Sequence, residues 1–286
     1  MTYYLVRFLS RLVCLLPGRF CDALGRMLAL CLWPFLPAKR KKLAREQVAM
    51  CLGTDAKESE RIAKESAVRF GPMLFEVLRF PVIVRRMADY VEIEGAEHLR
   101  TMLEKGKGAV IATAHTGNWE LMGGALSQAG FPIIGVAMRQ HDAAMDRFIN
   151  EYRCLVGMHI TYKDDVREMF RMMKKGWIVG LLADQDTNRR DGVVLDFFGQ
   201  PTNCVPGPAA MARSAGIGVI PGYITRKKDG THKIILHAPI DVPRTKDKRS
   251  DIRTAGQAVN RILEQHIREH PEEWFWLHDR WKSMHE

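Results

Sequence analysis

A chain of 286 residues with 47% hydrophobic and 27% charged residues has the composition of a folded globular protein, which excludes general disorder. Net charge is +10, and residues 1–50 supply most of it, because nine Lys and Arg there face only Asp22 and Glu46. That balance points to anionic partners; its clustering beside apolar helices, rather than in a nucleic-acid motif, argues against nucleic acid.

From the N-terminus, residues 3–36 are rich in Leu, Phe, Tyr, Trp and Cys, interrupted by Arg7, Arg11, Arg19 and Arg26. The longest uncharged run, residues 27–38, contains Pro34 and Pro37 and is short of the roughly 20 apolar residues a spanning helix needs. Arginines inside the apolar stretch also fit a signal peptide poorly. Arg7 and Arg11 share one helical face, and Leu5, Phe8, Leu9, Leu12, Val13 and Leu16 form the other. Residues 1–38 are therefore expected to form amphipathic helices lying in a membrane interface, with Lys39-Arg40-Lys41-Lys42 against anionic lipid. The alternative is a buried helical hairpin with a solvated basic turn. Four of the six cysteines, Cys14, Cys21, Cys31 and Cys51, fall in the first fifth of the chain, and none of the six forms a C-x-x-C pair. Neither a disulfide framework nor a zinc site is expected, and a reducing cytoplasmic setting is.

Residues 39–286 are expected to form an α/β domain, with 39–88 as a helical lead-in broken near Gly53 and near Gly71-Pro72. Apolar runs of strand length follow at 108–113, 132–137, 178–182, 193–197, 218–224 and 233–236. Helical patterns separate several of them, at 118–129, 143–156 and 166–174, and a last long helix covers about 251–269. Strands alternating with helices imply a mostly parallel central sheet flanked by helices. Residues 226–231 read as a hairpin turn, and 244–249 as a solvated basic connection.

The chemistry is concentrated where the strand at 108–113 runs into a polar turn, His115-Thr116-Gly117-Asn118-Trp119-Glu120. Sites in open α/β sheets lie at the carboxyl ends of strands. Gly117 permits a tight turn and Asn118 can cap the following helix. Glu120 is placed to hold one ring nitrogen of His115 and leave the other as a base. A histidine satisfied by backbone at a strand end is the bland alternative. The spacing is not that of H-E-x-x-H, so no metal is expected. No G-x-S-x-G elbow is present, which leaves a serine hydrolase without its nucleophile.

His115-x4-Glu120 after an apolar strand resembles the H-x4-D/E motif of glycerolipid acyltransferases. Over almost its full length the chain resembles the late acyltransferases of lipid A biosynthesis. The likeness takes in the apolar N-terminus, the basic segment 40–45 and His115–Glu120. It continues through Leu182-Ala183-Asp184-Gln185-Asp186, Phe197-Phe198-Gly199 and Pro201-Thr202, and ends on His270-Pro271-Glu272-Glu273-Trp274-Phe275-Trp276-Leu277-His278.

The resemblance implies an acyl carrier protein thioester as co-substrate, no further cofactor, and a lipid A precursor as acceptor at a hydroxyl of an acyl chain it already bears. It implies His115 and Glu120 as catalytic residues and attachment to the cytoplasmic face of the inner membrane, peripheral or by one N-terminal anchor. Arg153, near Gly157, matches an arginine of the family and is expected to meet a phosphate or a developing oxyanion. Asp184, Gln185, Arg189 and Asn118 complete the expected substrate contacts. Trp274-Phe275-Trp276 reads as packing, with a secondary reading as an interfacial anchor. Two competing readings are an acyltransferase acting on another glycolipid or phospholipid, and an inactive membrane-binding relative.

Overall fold

The computed structural model describes residues 2–285. Two amphipathic helices open the chain, α1 (Thr2–Cys14) and α2 (Gly18–Leu32). Tyr3, Ser10 and Val13 are buried against the body of the protein, whereas Leu5, Phe8, Leu9, Leu12 and Leu15 are exposed. The inward contacts are largely polar. Tyr3 and Arg7 both donate to Glu151, and the Ser10 and Tyr152 hydroxyls are 2.5 Å apart. No single described helix is long and apolar enough to cross a membrane.

The lead-in consists of α3 (Ala38–Leu52), α4 (Ala56–Val68) and α5 (Phe70–Leu78). Gly53 ends α3 in the left-handed region, and Asp55 caps α4 by accepting from the Glu58 amide. The break expected at Gly71-Pro72 falls at Arg69, because proline is tolerated in the first turn of a helix and α5 starts ahead of it. Gly71 has a different task. A Cβ there would lie 2.0 Å from the Gly25 carbonyl oxygen, so α2 and α5 cross in backbone contact that only glycine permits.

Two short helices, α6 (Phe80–Ile83) and α7 (Met87–Tyr90), lead into β1 (Val91–Glu94). The chain continues through α8 (Ala96–Glu104), β2 (Ala109–Thr113), α9 (Trp119–Gln128) and β3 (Ile133–Ala137). Next come α10 (Ala143–Leu155), β4 (His159–Tyr162), α11 (Val166–Met173) and β5 (Ile178–Leu182). A separate antiparallel hairpin, β6 (Val193–Phe197) with β7 (Gln200–Cys204), precedes α12 (Gly207–Ala215). The last elements are β8 (Val219–Arg226), β9 (His232–Leu236), α13 (Lys248–Glu269) and α14 (Lys282–His285).

The main sheet has seven strands in the order β1-β9-β8-β2-β5-β3-β4. Every pairing is parallel except the β8–β9 hairpin, whose turn closes with the Lys227 amide donating to the Thr231 carbonyl at 2.7 Å. The α/β class with a mostly parallel, helix-flanked sheet is as the alternating pattern implied. Three strands were not legible as apolar runs. β1 and β4 are four-residue edge strands, and β7 is polar and contains Pro201.

β2 sits at the centre, with Ala109 to Ala112 at 0–2% exposure, because a parallel strand is covered on both faces. A second cluster gathers Phe197, Tyr223, Leu263, Trp274, Trp276 and Trp281. Trp274 and Trp276 are 2% and 0% exposed, so they pack the interior and the interfacial-anchor reading does not apply to them.

Candidate active site

β2 delivers the chain to the carboxyl end of the sheet, where residues 114–117 turn it into α9. Gly117 has φ +54°, and a Cβ there would lie 2.3 Å from the Ile224 carbonyl oxygen. Asn118 caps α9: its Oδ1 accepts from the Leu121 amide at 3.0 Å, and its Nδ2 donates to Glu76 Oε2 at 2.7 Å. At 1% exposure this side chain is a buried cap of α9.

The other side of the turn is held by the C-terminal segment. Thr116 bridges to Trp274, the Gly117 amide donates to the Glu273 carbonyl at 3.0 Å, and the Phe275 amide donates to the His115 carbonyl at 3.1 Å. That segment is itself gripped by the lead-in. Gln47 donates to the carbonyls of Trp276 and His278, and the Ser66 hydroxyl donates to that of Trp274.

The His115 ring meets a carboxylate, and it is Asp184. Nδ1 lies 2.8 Å from Asp184 Oδ1, while the His115 amide donates to Oδ2 at 3.1 Å and the Trp274 indole donates to Oδ2 at 2.8 Å. The Asp184 side chain is 1% exposed and that of His115 is 20% exposed. An ionised carboxylate only accepts, so this geometry assigns the proton to Nδ1 and leaves Nε2 with its lone pair. Burial alone would raise the Asp184 carboxyl, but His115 and Trp274 outweigh it and hold it below the usual range. Burial pushes the imidazole the other way, and Asp184 outweighs that too, so the His115 pKa is raised.

Glu120, the partner expected from the spacing, is engaged elsewhere. It accepts from Arg153 Nε at 2.8 Å and from Nη2 at 2.6 Å, a bidentate match of fork to carboxylate. Glu120 sits in the first turn of α9 and Arg153 in the last turn of α10, so the pair ties the two helices together. Toward His115 it contributes charge, which raises the ring's pKa. Arg153 also donates from Nη1 to Asn150 at 3.3 Å, which engages all three of its nitrogens within the protein. Gln185 is half-buried and Arg189 exposed, both on the loop beyond β5.

Around the histidine stands an aromatic wall. Trp119 meets the His115 ring edge-on at 4.9 Å, and Phe70 touches both Trp119 and Phe275. Behind the turn, His266 lies 3.2 Å from the Thr116 hydroxyl and is pushed by burial down to about 3, which keeps it neutral at physiological pH. Among the described residues, no group of three or more His, Cys, Asp or Glu side chains could hold a metal ion.

A narrow slot lies beneath α9, beside this site. Thr113, Trp119, Glu120 and Arg153 line it together with the apolar Ile111, Met122, Leu126, Ile134, Met158 and Leu182.

The model of the bacterial lipid A biosynthesis acyltransferase family matches residues 1–283. A phosphatidylinositol mannoside acyltransferase of Mycobacterium tuberculosis (strain ATCC 25618 / H37Rv) is 29% identical over 83% of this chain and 76% of its own. The lipid A biosynthesis lauroyltransferase of Escherichia coli (strain K12) is 27% identical over 71% of this chain and 65% of its own. The palmitoleoyltransferase of the same organism is 22% identical over 87% of this chain and 81% of its own. The crystal structure of the 1-acyl-sn-glycerophosphate acyltransferase PlsC from Thermotoga maritima aligns over 90% of this chain and 99% of that one, at 15% identity and a TM-score of 0.38, too distant to bear on the site. The chain belongs to the bacterial lipid A biosynthesis acyltransferase family, and it is an acyltransferase.

Proposed function

We propose that the protein transfers a fatty acyl chain from an acyl carrier protein thioester to a hydroxyl of a lipid A precursor, with His115 as general base. The observation that carries this reading is the His115–Asp184 pair, placed at the carboxyl end of β2 beside an apolar slot. Nε2 takes the proton of the acceptor hydroxyl as its oxygen attacks the thioester carbonyl. The C–O bond forms, the C–S bond breaks, and the departing thiolate takes the proton back from Nε2. Asp184 holds the ring in the required tautomer and stabilises the imidazolium while it lasts. No acyl-enzyme is needed, so no cysteine acts as nucleophile. Glu120 shapes the site by holding Arg153.

The attacked hydroxyl is on an acyl chain already attached to a phosphorylated glucosamine disaccharide lipid. A second reading, a phosphatidylinositol mannoside acceptor, is favoured by the relatives of that name at 27–29% identity. The donor's acidic carrier suits a chain of net charge +10. The outward apolar face of α1 and the basic run at 39–42 suit docking on the anionic cytoplasmic face of the inner membrane.

The test is to incubate purified protein with each acceptor class and a panel of acyl carrier protein thioesters, then read product mass. A gain of one acyl chain is expected, reduced about 10²–10⁴-fold in His115→Ala. No gain with any donor and acceptor, from folded protein bound to vesicles, would overturn the reading.

A further inference from the structure

The slot beneath α9 owes its existence to missing side chains. Ile111 of β2, Gly180 of β5 and Gly135 of β3 lie side by side in register across the sheet. Gly123 of α9 lines the same slot from the helix side. Two of these glycines are filled from outside. A Cβ on Gly123 would lie 2.6 Å from Met158 Cε, and one on Gly135 would lie 2.7 Å from the same atom. The Met158 thioether methyl is therefore threaded between helix and sheet at the level of Gly123 and Gly135. With Met158 across it, the slot encloses only ≈ 80 Å³.

We propose that Met158 is the length gauge of this enzyme, its thioether closing the slot beside His115 and so fixing how many methylenes of the donor's acyl chain can enter. The inference rests on the proposed thioester chemistry at His115. The occupant follows from continuity and polarity. Trp119 lines the slot and touches His115, and the remaining lining is mostly apolar apart from Thr113, Glu120 and Arg153. A chain whose carbonyl lies at His115 has its methylenes directed along those walls. Met158 is unbranched and 9% exposed, and it is anchored on the residue just before β4 rather than on the elements it plugs. Methionine is the side chain best able to be trimmed or pushed without disturbing its surroundings.

Each methylene that gains an apolar wall tightens binding about fourfold, so affinity should climb with chain length and break where the chain meets the stop. Met158→Ala removes the stop, and the break should move to chains about two to four carbons longer. Gly123→Ala and Gly135→Ala push the thioether into the slot and should move it to shorter chains. Both are mild substitutions, since alanine favours a helix and Gly135 lies on a strand, so they serve if Met158→Ala does not fold.

The probe is a series of saturated S-acyl pantetheine thioesters of about eight to about eighteen carbons, titrated by calorimetry into the full-length, detergent-solubilised protein. Opposite displacements of the break in the two classes of variant support the gauge. An unmoved break in folded variants, or a wild type that binds all lengths equally or none, overturns it. Displaced breaks in a protein that acylates no acceptor would leave the gauge standing and remove the proposed reaction instead.

Discussion

His115 takes its orientation from a residue 69 positions away, and the reason is the sheet. β2 and β5 are parallel neighbours with Thr113 opposite Leu182, so two residues further on His115 stands opposite Asp184. The sequence displays both halves of this contact, each an apolar run ending in a polar cluster, but not the adjacency of the two strands. Spacing alone therefore favoured Glu120, which α9 turns toward Arg153 instead. Asp184 was legible as a residue of the site and not as the partner of the base. Its pull on His115 has a measurable sign. The base works only when neutral, so the rate falls as pH drops through a pKa raised above 6.5 in the wild type. Asp184→Asn should lower that pKa, move the acidic limb of kcat/KM to lower pH, and reduce the plateau by about 10²–10⁴-fold through loss of the Nδ1–H tautomer. A pH–rate profile of the variant checks both effects.

Elements of the lead-in hold the site together more than their sequence suggested. The helical stretch 39–88 was legible from its periodicity, whereas its contacts with the His115 turn were not. Glu76 on α5 is 2% exposed and accepts from Asn118 at 2.7 Å, His232 at 2.8 Å and Arg226 at 2.8 Å. One buried carboxylate thus ties the cap of α9 to the β8–β9 hairpin. Burial alone would raise its pKa, but His232 and Arg226 outweigh that and hold it below the ordinary 4.5. A depressed carboxylate stabilises the fold above its unfolded pKa, and that contribution is lost as pH falls from about 4.5 through the lower folded value. Glu76→Ala leaves the buried His232 and Asn118 without their acceptor and Arg226 with Asp22 alone. It should cost about 3–5 kcal/mol in denaturant unfolding, with a cost of under about 1 kcal/mol contradicting the role given to this network.

At the scale of the molecule, the N-terminal helices are docked on the body of the protein and keep an apolar outer face. Through Gly25 and Gly71, α2 lies backbone to backbone on α5, and α1 is fastened to α10 by Glu151 and Tyr152. Their outer face keeps Phe8 at 57% and Leu15 at 81% exposure, with Phe20 and Leu32 also exposed. Of the apolar face read from the sequence, Leu5, Phe8, Leu9 and Leu12 are exposed whereas Val13 is buried, and the glycine contact that docks α2 carries no hydropathy signal. A face of this kind next to Lys39–Lys42 is expected to bring the protein down with anionic vesicles at low salt, with partial release as ionic strength rises. Phe8→Glu with Leu12→Glu should abolish co-sedimentation while the fold survives, because both side chains already face outward. Wild-type protein remaining in the supernatant would contradict this docking face.

The proposed catalytic arrangement makes His115 the base and has Asp184, not Glu120, set its charge state. It is tested most directly by the pH dependence of kcat/KM for acyl transfer in wild type, Asp184→Asn and Glu120→Gln. Asp184→Asn should displace the acidic limb to lower pH by clearly more than Glu120→Gln does, since Glu120 acts on the ring through charge alone. A limb displaced by Glu120→Gln and unmoved by Asp184→Asn would contradict it.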